Sequence, residues 1–194
     1  MAQTQSLRCK NTYAKDLLTN ALLFLCCWLT AVLDFDTLMY LPLMTLISHY
    51  YLTSSNLVRD SFTFGVVFSL GVMCDSFLYQ IGVYHFPGHD APMYQYSYQF
   101  VHVVSALKAG ITPEWVIVLW AAFALTVTRS LSVVCRMGNL SLLVVPMLGV
   151  CVYSFTRTLG SIEFANSDLG ILFGVWFLLT LLYRSLIKSY DGKD

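Results

Sequence analysis

The long uncharged runs decide what this chain can fold into. Residues 17–33, 37–55, 61–83, 113–135, 139–157 and 168–187 are each predominantly apolar, close to the ~20 residues that a helix needs to cross the hydrocarbon of a bilayer. Backbone surrounded by lipid must satisfy its own N–H and C=O groups, which makes spanning segments of this kind helical. Short connections such as DFDT (34–37) and RMGN (136–139) make neighbouring segments antiparallel. Pro113, Ser167 and Asp168 stand where helices begin. The expected fold is all-α: an integral membrane bundle of six transmembrane helices, forming one domain over 1–194 with cytoplasmic tails at 1–16 and 188–194. No small-x-small cleavage site follows the first segment, so it reads as a retained helix.

Charge supports the same class. Only 11% of the 194 residues are charged, against about 25% in a soluble domain whose surface must face water. The 11 basic and 11 acidic residues balance, and no basic block offers a surface for nucleic acid. Arg8, Lys10, Lys15, Arg59, Arg129, Arg136, Arg184, Lys188 and Lys193 fall on the side of the termini, and only Lys108 and Arg157 on the other. This positive-inside asymmetry places both termini in the cytoplasm, and the expected location is a bacterial inner membrane, with the lipid bilayer as the first partner.

Six cysteines, Cys9, Cys26, Cys27, Cys74, Cys135 and Cys151, contain no C-x-x-C, and the expected outer loops hold none. They read as small apolar packing residues, not as a redox pair. The long connection 84–112 carries His85, His89 and His102, with Tyr94, Tyr96, Tyr98 and Phe100 alternating with Gln95, Ser97 and Gln99. Strand or interfacial helix, it is expected to lie on the outer leaflet as a lid, because tyrosines favour the headgroup zone. Pro87 and Gly88 break the helix that a His85–His89 metal pair would need. No metal and no cofactor is expected.

The informative residues are the polar ones inside the apolar segments, where an aspartate costs at least ~2.5 kcal/mol unless it faces protein or water. On the third segment Gly71, Asp75 and Gly82 project within about 40° of one another at 100° per residue. Asp75 is therefore expected to point into the bundle. Depth suggests Arg157, on a face with Pro146, Gly149 and Tyr153, as its ion-pair partner, and His49 as the neighbour of Arg129 on the fourth segment. The expected ligand site or buried polar network is Asp75, Ser76, Arg157, Tyr153, Thr126, Arg129 and His49, in an outer and an inner layer.

Several of these residues lie in stretches that resemble a known family. NALLFLCCWLTAV, CDSFLYQIGVYHFPG, PEWVIVLWAAFALTVTRSL and YSFTRTLG are similar to the Domain of Unknown Function 2878 family of small bacterial inner-membrane proteins. The family pattern falls on Asp75, Ser76, Phe86, Pro87, Trp120, Phe123, Ala124, Thr126 and Arg157. Cys74 replaces an expected glycine, Thr128–Arg129 replaces an Asn-His pair, and the outer loop is longer. The second departure weakens any chemistry at Arg129. The resemblance implies a fold and a choice of residues, and supplies no activity.

Three functions compete. Six short helices, a polar pocket and an outer lid look somewhat like the substrate-capture subunits of vitamin importers, so the first is binding or transport of a small or lipophilic ligand. The second is an enzyme or enzyme partner acting on a lipid-soluble substrate, although no G-x-S-x-G, H-E-x-x-H or phosphate-binding glycine loop occurs. The third is a structural or assembly subunit whose polar residues hold helices together and whose protein partner the sequence does not name.

Overall fold

A computed structural model describes residues 2–33, 36–54, 56–87, 112–135 and 137–191, with backbone only for 2–13, 36 and 189–191. Seven α-helices make up the described chain: α1 (Ala2–Val32), α2 (Tyr40–Leu52), α3 (Leu57–Gln80), α4 (Glu114–Val127), α5 (Ser130–Cys135), α6 (Ser141–Thr158) and α7 (Leu169–Asp191). Four apolar stretches, Ala14–Val32, Leu57–Gln80, Gly138–Thr158 and Asn166–Lys188, are long enough to cross a membrane. All six apolar segments are helical, but two are shorter or less regular than expected. The second begins as a 3₁₀ turn (Asp36–Met39) before α2, and the fourth divides into α4 and α5. Both polar tails continue their helices, α1 from Ala2 and α7 to Asp191. The expected lid residues 88–111, with His89, Asp90 and His102, lie outside the described residues.

The division at Thr128–Arg129 has a local cause. The Arg129 amide bonds Thr126 O at 3.0 Å instead of Leu125 O one residue further back, so the Leu125 carbonyl is left without its helical donor. Asn20 of α1, fully buried, supplies that donor through Nδ2 at 3.4 Å. Its Oδ1 accepts from Ser130 Oγ at 2.8 Å. One side chain thus closes the break and ties α1 to both halves of the fourth segment, as a buried carbonyl requires.

At the opposite end, α3 and α6 stop in the same way. Gly82 (φ 77) and Gly160 (φ 78) adopt the left-handed conformation that glycine enters without steric cost. Val83 N bonds Leu78 O at 3.0 Å, and Ser161 N bonds Thr156 O at 3.3 Å, the Schellman closure of a helix C-terminus. Three residues past each glycine the two chains pair, with His85 and Glu163 exchanging backbone hydrogen bonds of 2.8 Å. Gly82 therefore lies beyond the helix and does not share the Gly71–Asp75 face that continuous helical spacing suggested.

Two glycines inside helices set the central packing. A Cβ at Gly71 would lie 2.0 Å from the Trp120 ring, and one at Gly149 would lie 2.4 Å from the Trp176 ring. The two indoles stack on each other at 5.6 Å and 17°, and Phe123 presents an edge-on contact to both at 5.3 Å. The sequence α3–Trp120–Trp176–α6 thus runs through the middle of the bundle. Around it, α1 leans on α2, α4 and α5, while α6 packs chiefly on α7 and the contact between α1 and α6 is sparse.

Overpacking a filled core costs about 1–3 kcal/mol. Gly71→Ala should lower the unfolding temperature of the detergent-solubilised protein. Gly65→Ala on the same helix, where a Cβ meets nothing within 4 Å, should leave it equal or slightly higher. Equal losses at both positions would mean that α3 does not seat on Trp120.

Candidate functional site

Asp75 is buried, with 5% of its surface exposed, and its two oxygens are held separately. Trp120 Nε1 donates to Oδ2 at 2.7 Å, and Tyr153 OH donates to Oδ1 at 2.6 Å. Tyr84, fully buried beyond the end of α3, donates to the Asp75 main-chain carbonyl at 3.0 Å and packs against Tyr153 with ring centres 5.8 Å apart. Burial, reinforced by the Asp75 charge, holds the Tyr84 phenol well above its ordinary range, so it stays a protonated donor. Gly71, one turn before Asp75, is what lets Trp120 come close enough to reach the carboxylate.

This corrects the expected Asp75–Arg157 ion pair. Tyr153 stands one turn before Arg157 on α6 and occupies the depth of Asp75. Arg157 is exposed at the rim, where NH1 donates to Asn166 Oδ1 at 2.6 Å and the guanidinium lies 5.0 Å from the Phe164 ring centre. Two neutral donors satisfy the carboxylate without drawing a second ion out of water, a step that costs several kcal/mol. Ser76 faces elsewhere and accepts from the Thr112 amide at 3.3 Å, tethering the approach to α4.

The expected second layer exists with different partners. Its centre is Asp60, buried near the start of α3, fifteen residues before Asp75 and hence roughly 22 Å along the helix at 1.5 Å per residue. Arg129 NH2 approaches Asp60 Oδ2 at 3.5 Å and Tyr50 O at 3.4 Å. Ser54 Oγ donates to Asp60 Oδ2 at 2.8 Å, and Arg59 Nε lies 3.5 Å from Oδ1. Tyr50 OH bridges Asp60 O and Thr128 Oγ1, each at 3.1 Å. Arg129 therefore pairs with Asp60 and Tyr50, and the expected His49 neighbour contributes no bond to it: His49 Nδ1 is buried without a partner among the described residues. Thr126 donates to its own helix at Phe123 O, 2.6 Å away. Of the expected set, Asp75 and Tyr153 come together, while Ser76, Arg157, Thr126, Arg129 and His49 do not join them.

Beside Asp75 lies a cavity of about 260 Å³. Asp75, Tyr153 and Thr156 interrupt a wall that is otherwise aromatic and aliphatic, including Phe24, Trp28, Trp115 and Trp176. All four tryptophans of the chain line it. The Trp28 indole N–H is buried with no partner among the described residues. Reasoning from sequence missed Asp60, Tyr50, Tyr84, Asn20 and Trp176. A buried tyrosine usually finds a partner for its hydroxyl, which was the available signal for Tyr84; no such signal marks Trp176, which enters by stacking.

A model of the family described as Protein of unknown function (DUF2878) matches residues 17–182. The chain belongs to this family. The matched region contains both polar layers and every described residue named above as lining the cavity. No curated protein and no solved structure matches the chain significantly.

The hydrogen bonds predict a pattern of coupling. A bond to a charged group contributes about 1.5–3 kcal/mol, so Tyr153→Phe should lower thermal stability measurably. Combined with Asp75→Asn, the loss should be far less than the sum. Arg157→Gln with Asp75→Asn should add to within about 0.5 kcal/mol, as independent sites do. Strong coupling of Asp75 to Arg157 would instead restore the ion pair.

Proposed function

We propose that this chain is a multi-pass membrane protein that binds a small or lipophilic ligand in the Asp75 cavity, as a carrier or a ligand-binding subunit. The observation that carries the reading is the carboxylate set into an apolar, aromatic cavity. Small-molecule sites combine an apolar lining with a few fixed polar groups, and an ionisable side chain at membrane depth is a functional-site hypothesis by default. The pocket is preorganised: Trp120 and Tyr153 fix the carboxylate, and Gly71 and Gly149 fix the indoles around it.

The reading takes all six helical segments as spans. Segment ends meet alternately at two levels, Tyr40 bonding Glu114 at one and Tyr50 bonding Asp60 and Thr128 at the other. Short helices suffice at positions packed among neighbours, where protein replaces lipid around the backbone. With the excess of Lys and Arg inside, the termini and the Asp60 layer face the cytoplasm of a bacterial cell, and the Asp75 cavity opens in the outer half of its inner membrane.

Two measurements test this. Mass spectrometry of the gently solubilised protein should find a small molecule or lipid retained by the native chain and lost when Val152→Trp fills part of the site. Retention unchanged in that variant would remove the cavity as its binding place. Reporter fusions at Arg59, Arg136 and the C-terminus should read cytoplasm, and one at Asp90 should read the outside; an external C-terminus would overturn the orientation.

A further inference from the structure

The wall of the Asp75 cavity is not equally thick on all sides. Toward α3, α4 and α7 it is backed by buried core, including Val116, Trp120 and Trp176. Toward the seam between α1 and α6 it is one side chain deep. Leu148 and Val152 line the cavity and yet are 50% and 37% exposed on the outside of the bundle. Across the seam stand Phe24 and Trp28 of α1. Packing between α1 and α6 is sparse, and Trp28 meets Phe155 at 5.5 Å. At its end the seam is clasped by Ser161 Oγ, which donates to Val32 O at 2.7 Å. In a membrane this side of the cavity faces lipid.

The polar side of the cavity is equally one-sided in its chemistry. Each Asp75 oxygen accepts one short bond, at 2.6 and 2.7 Å, from a neutral donor, so neither of these partners calls for a carboxyl proton. Among the described residues no Lys, Arg or His lies within ion-pair distance of it, the ion pairs there being those of Asp60. Every carboxylate oxygen has lone-pair capacity beyond the bond it already accepts. A carboxylate fixed in an apolar chamber, already oriented and with no counter-ion among the described residues, is complementary to a positive charge that arrives with the ligand, and that charge in turn favours its ionised form.

We infer, on the reading that this cavity binds a ligand, that the ligand is an amine-headed lipophile: a single ammonium group that pairs with Asp75, carried on an apolar body that lies against Phe24, Trp28, Leu148 and Val152. It enters sideways from the bilayer through the α1–α6 seam. Size agrees with this. The cavity, about 260 Å³, is slightly below the ~300–1,000 Å³ usual for enclosed small-molecule sites, which suits a compact head with its tail left in the seam. Aromatic side chains around the head add cation–π attraction to the charge pair.

The test uses the full-length protein in phosphatidylcholine nanodiscs, with decylammonium, whose head carries N–H donors, as the cationic probe and 1-decanol as its neutral counterpart. Concentrations are expressed as mole fraction in the disc, so that partitioning into lipid does not enter the comparison. Because all four tryptophans line the cavity, their emission reports occupancy. The native protein should saturate with the cation at a mole fraction lower by about tenfold or more than with decanol, the ratio expected of one charge-assisted contact. Asp75→Asn should abolish that preference while decanol binding persists. Should Asp75→Asn fail to fold, decyl sulfate tests the same charge on the native protein: its anionic head must saturate at a higher mole fraction than decanol, and saturation at or below that of decanol would overturn the amine assignment. Val152→Trp, which fills the seam, should weaken both probes. Equal saturation by cation and alcohol in the native protein would overturn the amine assignment while leaving a ligand site in place. Absence of saturation by either probe would overturn the ligand-binding reading with it.

Discussion

The Trp120–Trp176 stack is the contact on which the arrangement of the other parts depends. It lies in the core that α3 and α4 on one side share with the α6–α7 hairpin on the other. Each indole reaches the centre only because the helix beside it carries a glycine, Gly71 for Trp120 and Gly149 for Trp176. In lipid, where apolar surface alone gives helices little reason to associate, such close packing of small and large residues supplies much of the attraction. The same indole that fills this centre also points its N–H at Asp75. Packing and polar satisfaction are therefore one arrangement, and the carboxylate is held by residues that the core already immobilises.

The two buried aspartates show how differently one residue type is accommodated on one helix. Asp60 sits among cations and hydroxyls, with Arg129, Arg59 and Ser54 around it, and it holds α2, α3 and the broken fourth segment together. Its surroundings are those of a structural ion-pair cluster. Asp75 has neutral donors on both oxygens and a cavity beside it. Among the described residues the first has cations beside it, and the second has only neutral donors. Burial does not separate them, since both residues are almost fully enclosed; their partners do.

The break between α4 and α5 belongs to the same economy of buried polar groups. Turning the chain at Thr128–Arg129 brings Arg129 to Asp60 and Thr128 to Tyr50, at the expense of one helical hydrogen bond that Asn20 makes good. A straight helix through this point would keep its backbone bonds, and the three side-chain contacts that join α1, α2 and α3 to it depend on the turned geometry.

What the sequence by itself determined is what depends on composition and local chemistry. Apolar runs longer than any soluble helix needs gave helices in the right places, Pro113 caps α4, and Gly71 and Asp75 share an inward face because 100° per residue is a property of the backbone. The positions of ionisable residues along apolar segments pointed to polar groups at two depths, and neither expected pairing formed. Which residues meet was not legible. Choosing Arg157 for Asp75 matched depth and charge, yet Tyr153 one turn away has the same depth and avoids burying a second ion. Nothing local ties residue 75 to 120, 71 to 120, or 149 to 176. Those pairings follow from the order in which helices pack and from how closely two backbones approach, quantities that a one-dimensional pattern of residue types does not contain. The cavity is a further step removed, because it is space left between α1 and α6 by contacts made elsewhere, and only the tertiary structure decides where such space remains.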